Sequence, residues 1–212
     1  MAPAQLEDAR RVREFWFGSL PMTREALEER MKMWFGNEES TERARAWDAT
    51  IRNEFGARVD AALRGELANW GDGPRRRLSL IILLDQFPRN IYRGRARAYA
   101  GDEQALSLAL SGMQSGADAA LDPVERMFFY MPLEHSESAD VQDESVAAYR
   151  RLLGEAAEPL RGAFTSALKD AELHASIIRR FGRFPHRNRV LRRTSTPEET
   201  DYLLDADGFG QS

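Results

Sequence analysis

The sequence contains no cysteine and only three histidines. Without cysteine, disulfide bonds, thiolate catalysis and cysteine-ligated metal sites are all excluded. Uninterrupted apolar runs such as Leu80 to Leu84 are far shorter than the roughly 20 residues of a membrane-spanning helix. The first residues lack the basic and apolar segments of a secretory signal. These absences predict a cytoplasmic chain that does not enter a membrane.

Several common catalytic and cofactor motifs are also missing. The sequence has no phosphate-cradling glycine loop, no dinucleotide fingerprint and no serine in a nucleophile elbow, so we expect no cofactor. His135, His174 and His186 could together with Glu134 supply nitrogen and oxygen ligands to a metal. None of the histidines has the short helical spacing of a zinc motif, and we therefore predict no metal site.

The pattern of apolar residues indicates an all-α fold. Alternating β-branched runs are scarce, whereas apolar residues recur at spacings of three and four throughout. Two helix starts are marked by a capping side chain, a proline and a glutamate, at Asp122-Pro123 and Thr196-Pro197. No linker divides the chain, which predicts one domain over residues 1–212. The nine predicted helices are 4–16, 23–34, 39–64, 74–86, 102–115, 123–130, 138–154, 159–181 and 197–205.

Positive charge is concentrated in two windows of an otherwise acidic chain. The net charge is −4, and nearly all basic residues are arginine. Residues 75–97 and 179–193 contain seven arginines each, and Asp85 is the single acid among them. Both windows hold a Phe-Pro string, at 87–90 and 184–188, which we interpret as a loop that follows a helix. Because arginine binds oxyanions bidentately, the two loops are predicted to meet across an anion-binding cleft. A solvated basic face is the alternative.

A polar string follows the apolar segment 127–131. In it, His135 could serve as a general acid or base, oriented by Glu134 or Glu137. Capping and loop hydrogen bonds explain the same residues equally well. His174 lies on the apolar stripe of the helix 159–181, so it is predicted to be a buried core residue. The aromatic residues near the N-terminus are also interpreted as core: Phe15, Trp16, Trp34, Phe35, Trp47, Phe55 and Trp70.

Four strings, at residues 80–90, 125–137, 181–188 and 195–199, resemble a known family over nearly the whole chain. The sequence is similar to the mainly bacterial proteins catalogued as domain of unknown function 924. The resemblance implies an all-α array of antiparallel helix pairs like a tetratricopeptide-repeat superhelix, and it implies no activity. One departure is visible, since this chain has Leu191-Arg192-Arg193 where the family pattern has Leu-Gly-Arg. The matching motif residues are Asp85, Arg89, Asn90, Arg126, Glu134, His135, His186, Arg187 and Asn188.

Two classes of function remain open on the sequence. The first is a binding module for a small phosphate or carboxylate, or for an acidic peptide. Its predicted ligand-binding residues are Arg89, Asn90, Arg126, Arg183, His186, Arg187 and Asn188. The second is a hydrolase in which His135 or His186 works with Glu134 as acid or base while arginines stabilise negative charge. Nucleic-acid binding is disfavoured by the net negative charge.

Overall fold

The computed structural model describes residues 3–35 and 41–205, and this part of the chain is helical without a β-strand. Its nine α-helices are α1 (Pro3–Phe17), α2 (Arg24–Phe35), α3 (Thr41–Leu63), α4 (74–91), α5 (Asp102–Gln114), α6 (Pro123–Glu134), α7 (Ala139–Glu155), α8 (Arg161–Phe181) and α9 (Pro197–Asp205). The predicted all-α class and the number of helices are confirmed. The predicted start of α3 at residue 39 lies outside the described residues.

The two helix starts predicted from proline and glutamate are formed by capping boxes. The backbone N–H of Val124 donates to Asp122 at 2.9 Å, and the N–H of Asp122 donates to Glu125 at 3.0 Å. At α9, the N–H of Glu199 donates to Thr196 at 3.1 Å. Each cap satisfies N–H groups that the helix itself leaves unpaired.

Two predicted helix ends are wrong, and both errors involve proline. Helix α6 continues past residue 130 to Glu134 with Pro132 inside it. Helix α4 continues past residue 86 to Ile91 through a π-helical turn, Ile82–Gln86, in which the N–H of Phe87 donates to the carbonyl of Ile82. Since Pro88 has no N–H for the carbonyl of Leu84, the wider turn accommodates the proline without ending the helix. The first Phe-Pro string is therefore helical and is not a loop.

Helix α4 lies at the centre of the packing. It contacts α1, α3, α5 and α6, while α6, α7 and α8 pack against one another. The aromatic side chains of α1 and α2 join the same core: Trp16 and Trp34 lie 5.5 and 4.5 Å from the ring of Phe128. The core prediction is wrong for Phe35, which is 49% exposed. The polar end of α4 and the ends of α6 and α8 thus point to one region.

No helix within the described ranges is long and apolar enough to cross a membrane.

Candidate functional site

Asp85 is the buried centre of a polar cluster, and the π-helical turn of α4 carries it there. Its side chain is 0% exposed. Its carboxylate lies 2.7 Å from Nδ1 of His135 and 3.2 Å from the Arg89 guanidinium. Burial alone would raise the pKa of Asp85, but the charge of Arg89 and the bond to His135 outweigh it and hold that pKa below its usual value. Asp85 is therefore ionised although its side chain is buried inside the protein.

His135 follows the last residue of α6, and Asp85 fixes its tautomer. An ionised carboxylate only accepts hydrogen bonds, so Nδ1 of His135 carries the proton and Nε2 keeps its lone pair. Burial and the nearby Arg89 lower the pKa of His135, which keeps the ring neutral. The predicted orienting partners are wrong: Glu137 binds Arg193, and Glu134 lies beside His174. The acid that orients His135 comes from α4.

Arg89 and Arg187 meet at Asp102, the first residue of α5. Arg89 binds Asp102 through both carboxylate oxygens, at 2.8 and 3.0 Å. Arg187 reaches one of those oxygens at 3.4 Å. Both guanidiniums also lie over the ring of Tyr99, at 5.5 and 4.8 Å from its centroid. The two Phe-Pro strings, distant in sequence, therefore approach each other as predicted at their arginines.

The Arg187 guanidinium is buried with incomplete hydrogen bonding. It lies between two aromatic rings, 4.8 Å from the centroid of Tyr99 and 4.5 Å from that of Phe184. Its Nε atom is buried and has no hydrogen-bond partner among the described residues. Burial and the charge of Arg89 lower the pKa of Arg187. A buried cation in this condition is expected to gain stability from an additional acceptor.

His174 and His186 complete the cluster around Phe184. The ring of His174 lies 5.5 Å from Phe184 and 6.3 Å from His135, and the ring of His186 lies 5.6 Å from Phe184. The predicted burial of His174 is confirmed, since it is 8% exposed. Burial, with nearby positive charge, lowers the pKa of His174 to about 4 and that of His186 to about 3. Both rings are neutral near neutral pH.

Glu134 is held in its neutral form. Its side chain is buried, and its Oε2 lies 3.7 Å from Nδ1 of His174. Burial raises the pKa of Glu134 to about 8. The protonated carboxyl of Glu134 thus lies near His174, while the ionised Asp85 accepts a hydrogen bond from His135. Such a separation of carboxyl pKa values is typical of sites that use acid–base chemistry.

Four predicted ligand-binding residues lie outside this cluster. Asn90 donates to Asp48 at 2.8 Å, and Asn188 donates to Ser195 and Glu199 at 3.1 and 3.2 Å. Arg183 is paired with the same Glu199 at 2.6 Å, and Arg126 binds Glu155 and Tyr130. Their hydrogen bonds brace neighbouring helices and turns. The prediction that the two asparagines face a common cleft is wrong.

Two residues of the cluster had no motif to mark them. Tyr99 lies in the turn before α5 and Asp102 is the first residue of α5, and their roles depend on contacts with Arg89 and Arg187. The contacts of Tyr99 and Asp102 with both arginines could not be predicted from the sequence of any one segment. We call the following residues the polar cluster: Asp85, Arg89, Tyr99, Asp102, Glu134, His135, His174, His186 and Arg187.

Several members of the cluster are partly accessible to solvent. Asp102 is 21% exposed and His135 is 16% exposed in their side chains, and Tyr99 and His186 are half-buried. A separate surface cavity of about 350 Å³ lies between α3, α4 and α5. Small and apolar side chains dominate its lining, with Glu103 its single charged residue. The polar cluster is therefore the better candidate for chemistry.

The part of the chain that the structure describes contains no recognisable metal-binding site. No group of three or more histidine or acidic side chains is arranged there to hold a metal ion. The rings of His174 and His186 pack on Phe184, and the ring of His135 lies 6.3 Å from that of His174. The arrangement therefore presents arginine cations and neutral imidazoles.

These observations define a helical protein with a buried cluster of arginines, carboxylates and histidines. The chain belongs to the family described as a bacterial protein of unknown function (DUF924), whose model matches residues 12–207. It is similar to a solved structure from Agrobacterium tumefaciens, described as protein of unknown function ATU0120. The two share 34% identity with a TM-score of 0.77, over 95% of this chain and 99% of that chain. No curated protein matches the chain.

Proposed function

We propose that this protein binds a small oxyanion, a phosphate or a carboxylate, at the polar cluster. The observation that carries the proposal is the buried Arg187 guanidinium. Within the described residues its Nε has no hydrogen-bond partner and its Nη1 reaches a carboxylate at 3.4 Å. Its contact with Asp102 uses Nη1, so the adjacent edge formed by Nε and Nη2 suits the two oxygens of a carboxylate or phosphate. Tyr99 and Phe184 hold this edge in place.

Arg89 supports the same ligand less directly. Asp85 and Asp102 already pair with Arg89, so its charge is largely compensated. It fixes Asp102, and its charge lowers the pKa of the neighbouring Arg187. The ligand can be a free oxyanion or the acidic side chain of a peptide, since both offer the same oxygens.

A cytoplasmic location belongs to the proposal, because a chain without cysteine has no disulfide that needs an oxidising compartment.

Replacement of Arg187 by lysine tests the proposal. We expect phosphate or sulfate to bind about 10- to 100-fold more weakly, because lysine keeps the charge but loses the bidentate edge. The measurement is isothermal titration calorimetry with each anion and with a short glutamate peptide, which distinguishes the two sources of oxygens. Thermal stabilisation by the same ligands provides a second readout.

Arg126→Lys is the matched control. Arg126 also pairs with a carboxylate and lies 5.9 Å from the centroid of a tyrosine ring, but it is outside the polar cluster. The control variant should bind as wild type does. Equal binding by Arg187→Lys, or no binding by the wild type to any of these probes, would show that Arg187 braces the fold only.

The Asp85–His135 pair favours a second function, hydrolysis of an ester that carries the anion. In this reaction Nε2 of His135 takes a proton from water as the water oxygen bonds to the electrophilic carbon or phosphorus. The bond from that atom to the alcohol oxygen then breaks, and the imidazolium returns its proton to the departing alcohol. Asp85 stabilises the imidazolium at Nδ1, as the 2.7 Å contact allows. Asp85 thus takes the role that the sequence analysis gave to Glu134, the acid that works with His135. His186 remains a candidate acid or base.

A His135→Asn variant separates hydrolysis from binding. With p-nitrophenyl phosphate and p-nitrophenyl acetate as probes, we expect this variant to lose about 10²- to 10⁴-fold in rate relative to wild type. Arg126→Lys is again the control. If wild type cleaves both esters no faster than His135→Asn, the polar cluster does not act as a hydrolase on these ester classes, and the binding function stands alone.

A further inference from the structure

All three histidines of the chain converge on the site proposed for the anion. His135 follows α6, His174 lies on α8, and His186 lies in the short turn Pro185–Arg187. The rings of His174 and His186 pack on Phe184, and the Arg187 guanidinium lies 4.5 Å from the centroid of the same ring. Two imidazoles and the Arg187 guanidinium therefore share one aromatic ring, and the third imidazole lies 6.3 Å from His174.

The ionised groups of this region balance one another without a ligand. Arg89, Arg187 and Arg193 supply positive charge, and Asp85, Asp102 and Glu137 supply negative charge in the pairs described. Glu134 is neutral near neutral pH because burial raises its pKa to about 8. An oxyanion entering this region would bring negative charge that no further cation in these pairs offsets. Burying uncompensated charge is costly.

Protons on the histidines can supply the missing positive charge. We propose that an oxyanion bound at Arg187 is taken up together with protons, which His174 and His186 hold. The inference rests on the anion site proposed above and adds a regulatory property to it: the protein captures its ligand more tightly as pH falls. His135 is not assigned this role, because Asp85, 2.7 Å from its Nδ1, already offers its protonated form a negative partner without a ligand.

The groups that face these two histidines agree with the proposal. His186 faces Arg187, Arg89 and the other two histidines. His174 faces the same arginines, donates to the carbonyl of Asp170 at 2.8 Å and lies near Glu134. Burial is the largest cause that lowers both pKa values, and the arginine charges add to it. A bound anion opposes the arginine contribution and so favours the protonated rings.

Thermodynamic linkage fixes the sign and the range of the effect. The ligand raises the pKa of each histidine, so the protonated protein must bind the ligand more tightly. Affinity should increase by up to about tenfold per pH unit for each proton taken up. This increase should occur as pH falls from neutrality and should level off between about pH 4 and pH 3, because first His174 and then His186 is protonated there without the ligand.

Calorimetry with sulfate tests the proposal, because sulfate does not change its own charge near neutral pH. Titrations of the full chain in two buffers with different ionisation enthalpies give the number of protons taken up. We expect net proton uptake by wild type, less uptake by His186→Asn, and unchanged uptake by Arg126→Lys. Histidine NMR titrations with and without sulfate should show the pKa values of His174 and His186 rising on binding.

The outcomes distinguish this proposal from the one on which it rests. Sulfate binding without proton uptake, and with an affinity independent of pH, would overturn the coupling while leaving the anion site in place. No sulfate binding at any pH would overturn the anion site for this ligand class and the coupling with it. Proton uptake that persists undiminished in both His186→Asn and His174→Asn would assign the protons to other groups and overturn the proposal.

Discussion

Replacement of Asp85 by alanine is expected to lower the free energy of unfolding by about 3 to 5 kcal/mol, the usual cost of breaking a buried ion pair. Asp85 is fully buried and contacts Arg89, His135 and the side-chain amide of Gln86. Its loss removes the acceptor of His135 Nδ1 and one of the two carboxylates that pair with Arg89 in the protein interior. Urea unfolding of the variant and of wild type measures the difference.

The effect of Asp85 should depend on pH in a defined direction. Because the folded protein holds the pKa of Asp85 below its usual value, the carboxylate stabilises the fold above about pH 4, the ordinary pKa of aspartate. That contribution is lost as pH falls further, so wild type and variant should converge in acid. The exposed Asp143, paired with Arg179, provides a control whose replacement should cost about 1 kcal/mol or less.

A similar small loss for Asp85→Ala and Asp143→Ala would contradict the structural role given to Asp85. It would mean that Arg89 and His135 find other partners at little cost. A large loss of stability that is the same at every pH would indicate a packing effect instead of an electrostatic one. The pH series therefore separates the two explanations.

The helices were predictable because their determinants are local. A periodicity of three and four marks a face that must be buried, and Asp122 and Thr196 supply hydrogen bonds within their own first turns. Prolines misled the prediction at two helix ends. The helices were predicted to end before Pro88 and Pro132, but they continue through both prolines, each of which has one fully buried neighbour, Phe87 or Leu133.

The arginines were predictable as a group, but their partners were not. The repeated Phe-Pro strings correctly placed Arg89 near Arg187, whereas the asparagine that follows each arginine points elsewhere. In α4 successive residues are rotated by about 100° around the helix axis, so Asn90 faces Asp48 while Arg89 faces Asp102. Only the tertiary structure determines which carboxylate each arginine meets.

The departure from the family pattern at Arg192 has a visible structural counterpart. Arg192 adopts a φ of 56°, in the left-handed region that favours glycine. The turn that a glycine would form is thus retained with an arginine in its place. Arg193 follows directly and binds Glu137 at 2.7 Å, which ties this turn to the loop after α6.

The close approach of α4 and α5 depends on Gly101. A Cβ atom at this position would lie 2.2 Å from the backbone oxygen of Leu84 and 2.9 Å from its carbonyl carbon. Backbone atoms cannot rotate away as a flexible side chain can, so the two helices must separate. Leu84 and Gly101 directly precede Asp85 and Asp102, the two carboxylates that hold Arg89.

Gly101→Ala is therefore expected to destabilise the fold by about 3 kcal/mol, at the upper end of the usual cost of overpacking, and to weaken anion binding as well. Gly154→Ala is the matched control. Gly154 lies within α7 with no atom near an added Cβ, so alanine there should stabilise the protein by about 0.5 to 1 kcal/mol through its higher helix propensity. Thermal unfolding and sulfate calorimetry on both variants measure these effects. If Gly101→Ala were as stable as wild type, α4 and α5 would have room to separate without cost, and the position of Asp102 beside Arg89 could not depend on the missing side chain.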